Sequence, residues 1–257
     1  TPAHRAAADY ARTRLVEFGL AGARLEAFPF GRGWTLEKFT LEMTAPRYLP
    51  VVAYPEAWTP ATHGVVTGTP IYLGDKTAAE IEAMGDKLRG AIVLAQRPQT
   101  AFLKKDRVQP ATSDTAVRSG APPMLQAGAV VPLRTMEPIL RRFGAAATLR
   151  PSQGEHGTMF VLGNQRTPND ATPAIIVEAE QYNMIVRLLD SAAPVQLRLE
   201  LGVRYHDSDT NTYNVVAEIP GEDPALRNEI VLLGGHLDSW HSSTGAVDNA
   251  DASASLI

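Results

Sequence analysis

The stretch 230-IVLLGGHLDSWHSSTGAVDNADASASLI-257 decides how the chain is read. Ile230 to Leu233 are apolar without a break, which predicts a short strand buried on both faces, of the kind found inside a parallel sheet. Two glycines follow, and then His236, Asp238 and Asp248 fall within thirteen positions. Open α/β sheets place ligands just beyond the carboxyl ends of their strands, where this reading puts His236. Residues two apart on extended backbone share a face, so Asp238 reaches the same side as His236. That arrangement suits a metal-ligating imidazole whose second nitrogen is steered by a carboxylate. Asp248 comes after a loop containing Gly245 and just before a small-residue stretch that reads as helical. The stretch reads as half of a metal site. The alternative is a hydrogen-bonded core histidine beside an ordinary helix cap at Asp248-Asn249.

Composition narrows the rest. The 257 residues are 44% hydrophobic and 20% charged, enough apolar material for a proper core and too much for a disordered chain. A net charge of −4 without a basic cluster argues against nucleic acid and anionic membrane surfaces as partners. The absence of cysteine excludes disulfide frameworks and thiolate metal sites. No apolar run approaches the roughly 18–20 residues of a membrane span. A start at Thr1 predicts a processed or trimmed N-terminus, with a secreted or periplasmic location as the expectation. Residues 253–257 carry no helix stop, so the sequence is expected to be the front part of a longer protein.

In order, residues 5–18 predict a helix with Ala7, Ala11, Leu15 and Phe18 on one stripe and Gly19 as its stop. The alternation in 36-LEKFTLEM-43 predicts a strand, and 55-PEAWTPATHG-64 marks a domain junction. Next come a strand at 65-VVTGTPIYL-73 and a capping box at Thr77–Glu80 opening a short helix that Gly85 closes. A buried strand at residues 88–96 precedes an exposed loop at 104–123. Then follow a helix from Thr135 to Gly144, strands at 145–149 and 174–177, and a helix whose face is Tyr182, Ile185, Val186 and Leu189. Strands at 195–203 and 213–219 flank the polar turn 206-HDSDTN-211, whose spacing lacks the ligand series of a calcium loop. The expected domains are 1–54, a β-rich inserted unit at 55–194, and 195–257.

The order and spacing of 211-NTYNVVAEIPG-221, 234-GGHLDSW-240 and 244-TGAVDNA-250 resemble the M28 family of zinc exopeptidases, in its carboxypeptidase Q-like branch. The resemblance implies an α/β fold with a mixed, phosphorylase/hydrolase-like sheet, incomplete here. The segments 88-LRGAIVL-94, 136-MEPILRRFGAAATL-149 and 173-PAIIVEAEQYNMIVRLL-189 resemble the protease-associated (PA) domain inserted in many such peptidases.

On the residues that match, the resemblance implies His236 and Asp248 as metal ligands, with Asp248 bridging two zinc ions. It implies Asp238 as the residue orienting His236, and a cis peptide between Asp248 and Asn249. Asn249, Trp240 and His241 are candidates for contacting substrate or shaping the site, Trp240 either as a pocket wall or as a lid on the core. His241 is expected in a solvent-exposed loop. Asp251 and Ala252 stand where the family often has glycine. The family's catalytic Glu and its remaining ligands would lie past Ile257; Glu178 and Glu180 are expected to be solvated and no substitute. The implied reaction is zinc-dependent hydrolysis of terminal peptide bonds, with a peptide substrate and a homodimer as the expected partners. The alternative from another class is an inactive peptidase-like receptor carrying a PA domain. No nucleophile elbow, phosphate loop, dinucleotide fingerprint or H-E-x-x-H supports other chemistry.

Overall fold

The computed structural model describes residues 1–102, 131–226 and 228–256; the loop expected at 104–123 lies outside them. The elements in chain order are α1 (Pro2–Glu17), β1 (Ala21–Pro29), β2 (Gly33–Ala45), β3 (Leu49–Pro50), β4 (Ala53–Pro55), β5 (Val66–Gly68), β6 (Ile71–Tyr72), α2 (Ala78–Met84), β7 (Ile92–Leu94), α3 (Leu133–Phe143), β8 (Ala147–Pro151), β9 (Ala174–Val177), α4 (Ala179–Asp190), β10 (Gln196–His206), β11 (Asn211–Glu218) and α5 (Asp251–Leu256). The fold is mixed α/β, as expected, and it divides into two compact units, Thr1–Thr35 with Arg204–Ile257, and Leu36–Val203. Residues 55–194 fall inside the second unit. Among the described residues no helix is long and apolar enough to cross a membrane.

In the first unit the hydroxyl of Thr1 accepts from the His4 amide and Pro2 opens α1, where its missing N–H costs nothing. Ala8, Ala11 and Leu15 form the buried stripe, and Gly19 leaves the helix at φ +83°. Phe18, expected on that stripe, is 53% exposed. It caps the helix at a point where the backbone has left helical geometry, and its ring lies under the Arg14 guanidinium instead. β1 pairs antiparallel with β11, with Arg24 opposite Val216 and Pro29 opposite Asn211.

The strand expected at Ile230–Leu233 is not formed, and those residues are 74–89% exposed. The apolar run is what a buried strand needs, but a strand also needs neighbours for its ladder. Among the described residues none pairs with this segment.

The second unit holds two sheets. One has the order β3-β2-β10-β5; the other has the order β4-β9-β8-β7-β6, parallel apart from β4. Side chains alternate across β7, so Ile92 and Leu94 enter a core with Leu149, Ile175, Tyr182 and Ile185. Val93 faces the other way, into a second core with Ile81 of α2 and Met136 and Leu140 of α3. Burying each such Leu, Ile or Val contributes roughly 1.5–3 kcal/mol relative to exposure. The capping box at Thr77 and Glu80 forms as the sequence predicts.

Two expectations fail here. The single strand read at 65–73 is broken at Pro70: β5 pairs with β10 and β6 with β7, in different sheets. Proline has no N–H for a ladder, and the chain changes sheets there. Glu178, expected in solvent, is 8% exposed because its carboxylate caps α4, accepting from the amides of Glu180 and Gln181 at 3.0 and 2.8 Å. Glu180 is exposed, as expected.

Candidate metal centre

The site is built from two pieces of backbone held side by side. The first is the irregular segment 234–240. The second is the turn Ala246–Ala250, which runs into α5. Two glycines make the approach possible. A Cβ on Gly235 would stand 3.2 Å from Asn249 Nδ2 and 3.3 Å from Leu256 Cδ1. A Cβ on Gly245 would stand 2.7 Å from Ser239 Cβ, and Gly245 adopts φ +70° besides. Asp248 and Asn249 leave helical geometry inside the turn, and the peptide between them is cis.

The two pieces are tied at one atom. The main-chain carbonyl of His236 accepts from Asn249 Nδ2 at 3.2 Å and from Ser253 Oγ at 3.1 Å. The His236 ring therefore stands against the turn that carries Asp248, and His236 Nε2 lies 3.0 Å from Asp248 Oδ1. On its other side, His236 Nδ1 lies 3.0 Å from the Asp238 main-chain carbonyl and 3.4 Å from Asp238 Oδ1.

A carbonyl can only accept, so Nδ1 donates to it; Nε2, facing the Asp248 carboxylate, carries a proton when the ring is charged and offers its lone pair when the ring is neutral. Sequence reasoning placed the steering on the Asp238 carboxylate. The structure gives the shorter contact to the backbone of the same residue. The Asp238 carbonyl, with the Asp238 and Asp248 carboxylates, pushes the imidazole above its ordinary value.

Zinc bonds of about 2.0–2.2 Å to imidazole nitrogen and carboxylate oxygen allow one ion to touch two atoms at this 3.0 Å separation. The donor types suit zinc without thiolates. Among the described residues, no group of three His, Asp or Glu side chains is placed to hold an ion, so the pair is what this chain brings together.

Trp240 is 37% exposed. His241, expected in solvent, is half-buried: its ring meets the buried Trp34 edge-on, with centroids 5.1 Å apart. An imidazole has an apolar edge that packs on an indole as readily as it faces water. The turn at 206–211 is structural, as read. Asp209 accepts from Tyr213 Oη at 2.7 Å and from the Asn211 amide at 3.0 Å, while Asp207 pairs with Arg32. Ser253 escaped the sequence reading; only its place one turn beyond Asp248-Asn249 could have marked it.

Residues 214–257, which contain His236, Asp238, Asp248, Asn249 and Ser253, match the family model described as Peptidase family M28. Over that stretch the chain is similar to the M28 peptidases. Mouse carboxypeptidase Q is 26% identical to it over 172 residues, 66% of this chain and 31% of that protein. A Peptidase M28 precursor from Shewanella amazonensis SB2B superimposes with a TM-score of 0.64 at 21% identity, over 97% of this chain and 52% of that one. A zinc aminopeptidase from Bacillus subtilis gives a TM-score of 0.52 at 13% identity, over 98% of this chain and 50% of that one. These structures share this chain's fold. The chain spans about a third of the mouse relative and about half of each of these structures.

Proposed function

We propose that the protein carrying this chain is a zinc-dependent exopeptidase that hydrolyses terminal peptide bonds. One observation carries the reading: His236 Nε2 and Asp248 Oδ1 converge to 3.0 Å while Nδ1 is turned towards the Asp238 carbonyl. His236 and Asp248 would be zinc ligands, with Asp248 bridging two ions. Bound zinc supplies Lewis-acid polarisation of a peptide carbonyl and lowers the pKa of a water towards about 7.

The residues of this chain contribute orientation. Asp238 holds the His236 proton on Nδ1, so that Nε2 stays a donor of electrons. Asn249 fixes the His236 backbone, and Trp240 presents a partly exposed indole beside the site. The similarity to carboxypeptidase Q and to an aminopeptidase supports peptides as substrates and leaves both chain ends as candidates. Residues 55–194 belong to this proposal as the PA-like insertion, supported by the resemblance of their strand and helix segments. A secreted or periplasmic location and a homodimer complete it, on the same resemblance.

The test is metal analysis of the intact protein together with a panel of dipeptides blocked at either end. Stoichiometric zinc with cleavage of one blocked series supports the reading and assigns the end. Zinc without cleavage of any peptide would point to the receptor-like alternative.

A further inference from the structure

We infer that Ser253 is a positioning residue of the zinc site: its hydroxyl, with the Asn249 amide, latches the His236 carbonyl onto the turn that carries Asp248. The inference rests on the proposed metal role of His236 and Asp248.

The argument is geometric. A peptide carbonyl has two acceptor positions, and at His236 both are used by the piece of chain that supplies the other ligand, at 3.2 Å from Asn249 Nδ2 and 3.1 Å from Ser253 Oγ. Asn249 adjoins Asp248, whereas Ser253 lies on α5, so the His236 backbone is held from two separate points. Gly235 shows how close the contact is, since a Cβ there would meet Asn249 Nδ2 at 3.2 Å. His236 has few other restraints, since the segment before it pairs with no strand among the described residues and its own side chain is 54% exposed. Two hydrogen bonds to one carbonyl therefore fix where the imidazole starts from, and with it the separation of Nε2 from Asp248. Ser253 itself touches neither donor atom; it acts through the His236 backbone.

The experiment compares the intact wild-type protein, Ser253→Ala, Ser253→Thr and His236→Ala. Zinc affinity is read by competition with a chromophoric chelator, alongside kcat and KM for a blocked dipeptide and the thermal midpoint of the metal-free protein. Ser253→Ala is expected to weaken zinc binding roughly tenfold, in the range lost with residues that support a ligand, and to lower kcat with little change in KM. Ser253→Thr, which keeps the hydroxyl, is expected to restore both, and the metal-free midpoint is expected to stay where it was. Unchanged zinc affinity in Ser253→Ala overturns the latch. So does a fall in the metal-free midpoint that Ser253→Thr leaves unrepaired, since that marks a merely structural hydroxyl. Wild-type protein that folds but binds no more zinc than His236→Ala overturns the metal reading itself, a result separable from either of these.

Discussion

His236 Nε2 and Asp248 Oδ1 lie 3.0 Å apart with a whole loop of chain between them, and the loop closes because Gly245 passes within a Cβ's width of Ser239. Both side chains are largely open to solvent, 54% and 78% exposed. Little apolar packing depends on them, so their convergence adds little to the stability of the fold, which fits the proposed role of the two as metal ligands.

It follows that His236→Ala and Asp248→Ala should leave the fold intact while removing the metal. Zinc affinity should fall by more than the roughly 10–100-fold that loss of a merely supporting residue costs, and peptidase turnover should vanish. Metal analysis and circular dichroism on the same samples check both halves. Retained turnover in either variant would take that residue out of the mechanism.

The metal-free protein has a pH signature. Asp238 and Asp248 favour the protonated His236 ring, so its folded-state value lies above the ordinary 6.5. For a group raised on folding, the stabilising contribution is complete below the unfolded value and disappears as pH rises through the folded one. Imidazole NMR on metal-free protein should show His236 titrating above 6.5, and Asp248→Asn should bring it down. A His236 value at or below the ordinary one in the unaltered chain would contradict the geometry.

Much of this was legible in the residues, for a physical reason. Capping boxes, αL glycines and alternating strands are local rules, and α2, the end of α3 at Gly144 and the two faces of β7 follow them directly. The pairing of His236 with Asp248 was legible because the motif keeps both within one loop. What failed needed distant partners. Ile230–Leu233 has the composition of a buried strand, yet composition does not supply the neighbouring strand. Residues 65–73 alternate well enough for one strand, and only the separate sheets on either side of Pro70 show two. Glu178 reads as a surface acid because nothing local reveals that its carboxylate turns back onto the start of α4. Ser253 was invisible for the same reason: its partner is a backbone carbonyl in another segment.

Gly245→Ala tests the loop. The added methyl would meet Ser239 Cβ at 2.7 Å and Oγ at 2.9 Å, and a left-handed φ of +70° costs a non-glycine residue about 1–2 kcal/mol. The cheapest response is to open the loop, which moves Asp248 away from His236. Zinc affinity should drop by about tenfold or more, with little change in the melting of the second unit. Wild-type affinity in this variant would mean that the loop shape does not set the ligand distance.

The last prediction concerns the second unit and depends on no metal. Tyr182 and Asn183 are consecutive on α4 and both buried, and each clamps the backbone that follows β7. The Tyr182 hydroxyl accepts from the Gln96 amide at 3.0 Å and donates to the Gln96 carbonyl. Asn183 mirrors this at Gln99, with its Oδ1 accepting from the amide and its Nδ2 donating to the carbonyl, both at 2.8 Å. Tyr182→Phe keeps the ring in the core but strands a buried N–H and a buried C=O that lose their partner together. Leaving such groups unmet costs about 1–3 kcal/mol, more than deleting a hydroxyl whose partner could turn to water. Urea unfolding followed by far-UV circular dichroism should therefore show Tyr182→Phe destabilised by about that amount with an unchanged slope. A loss below about 0.5 kcal/mol would mean that water reaches Gln96, and that the ring alone, as its helical spacing first suggested, is what Tyr182 contributes.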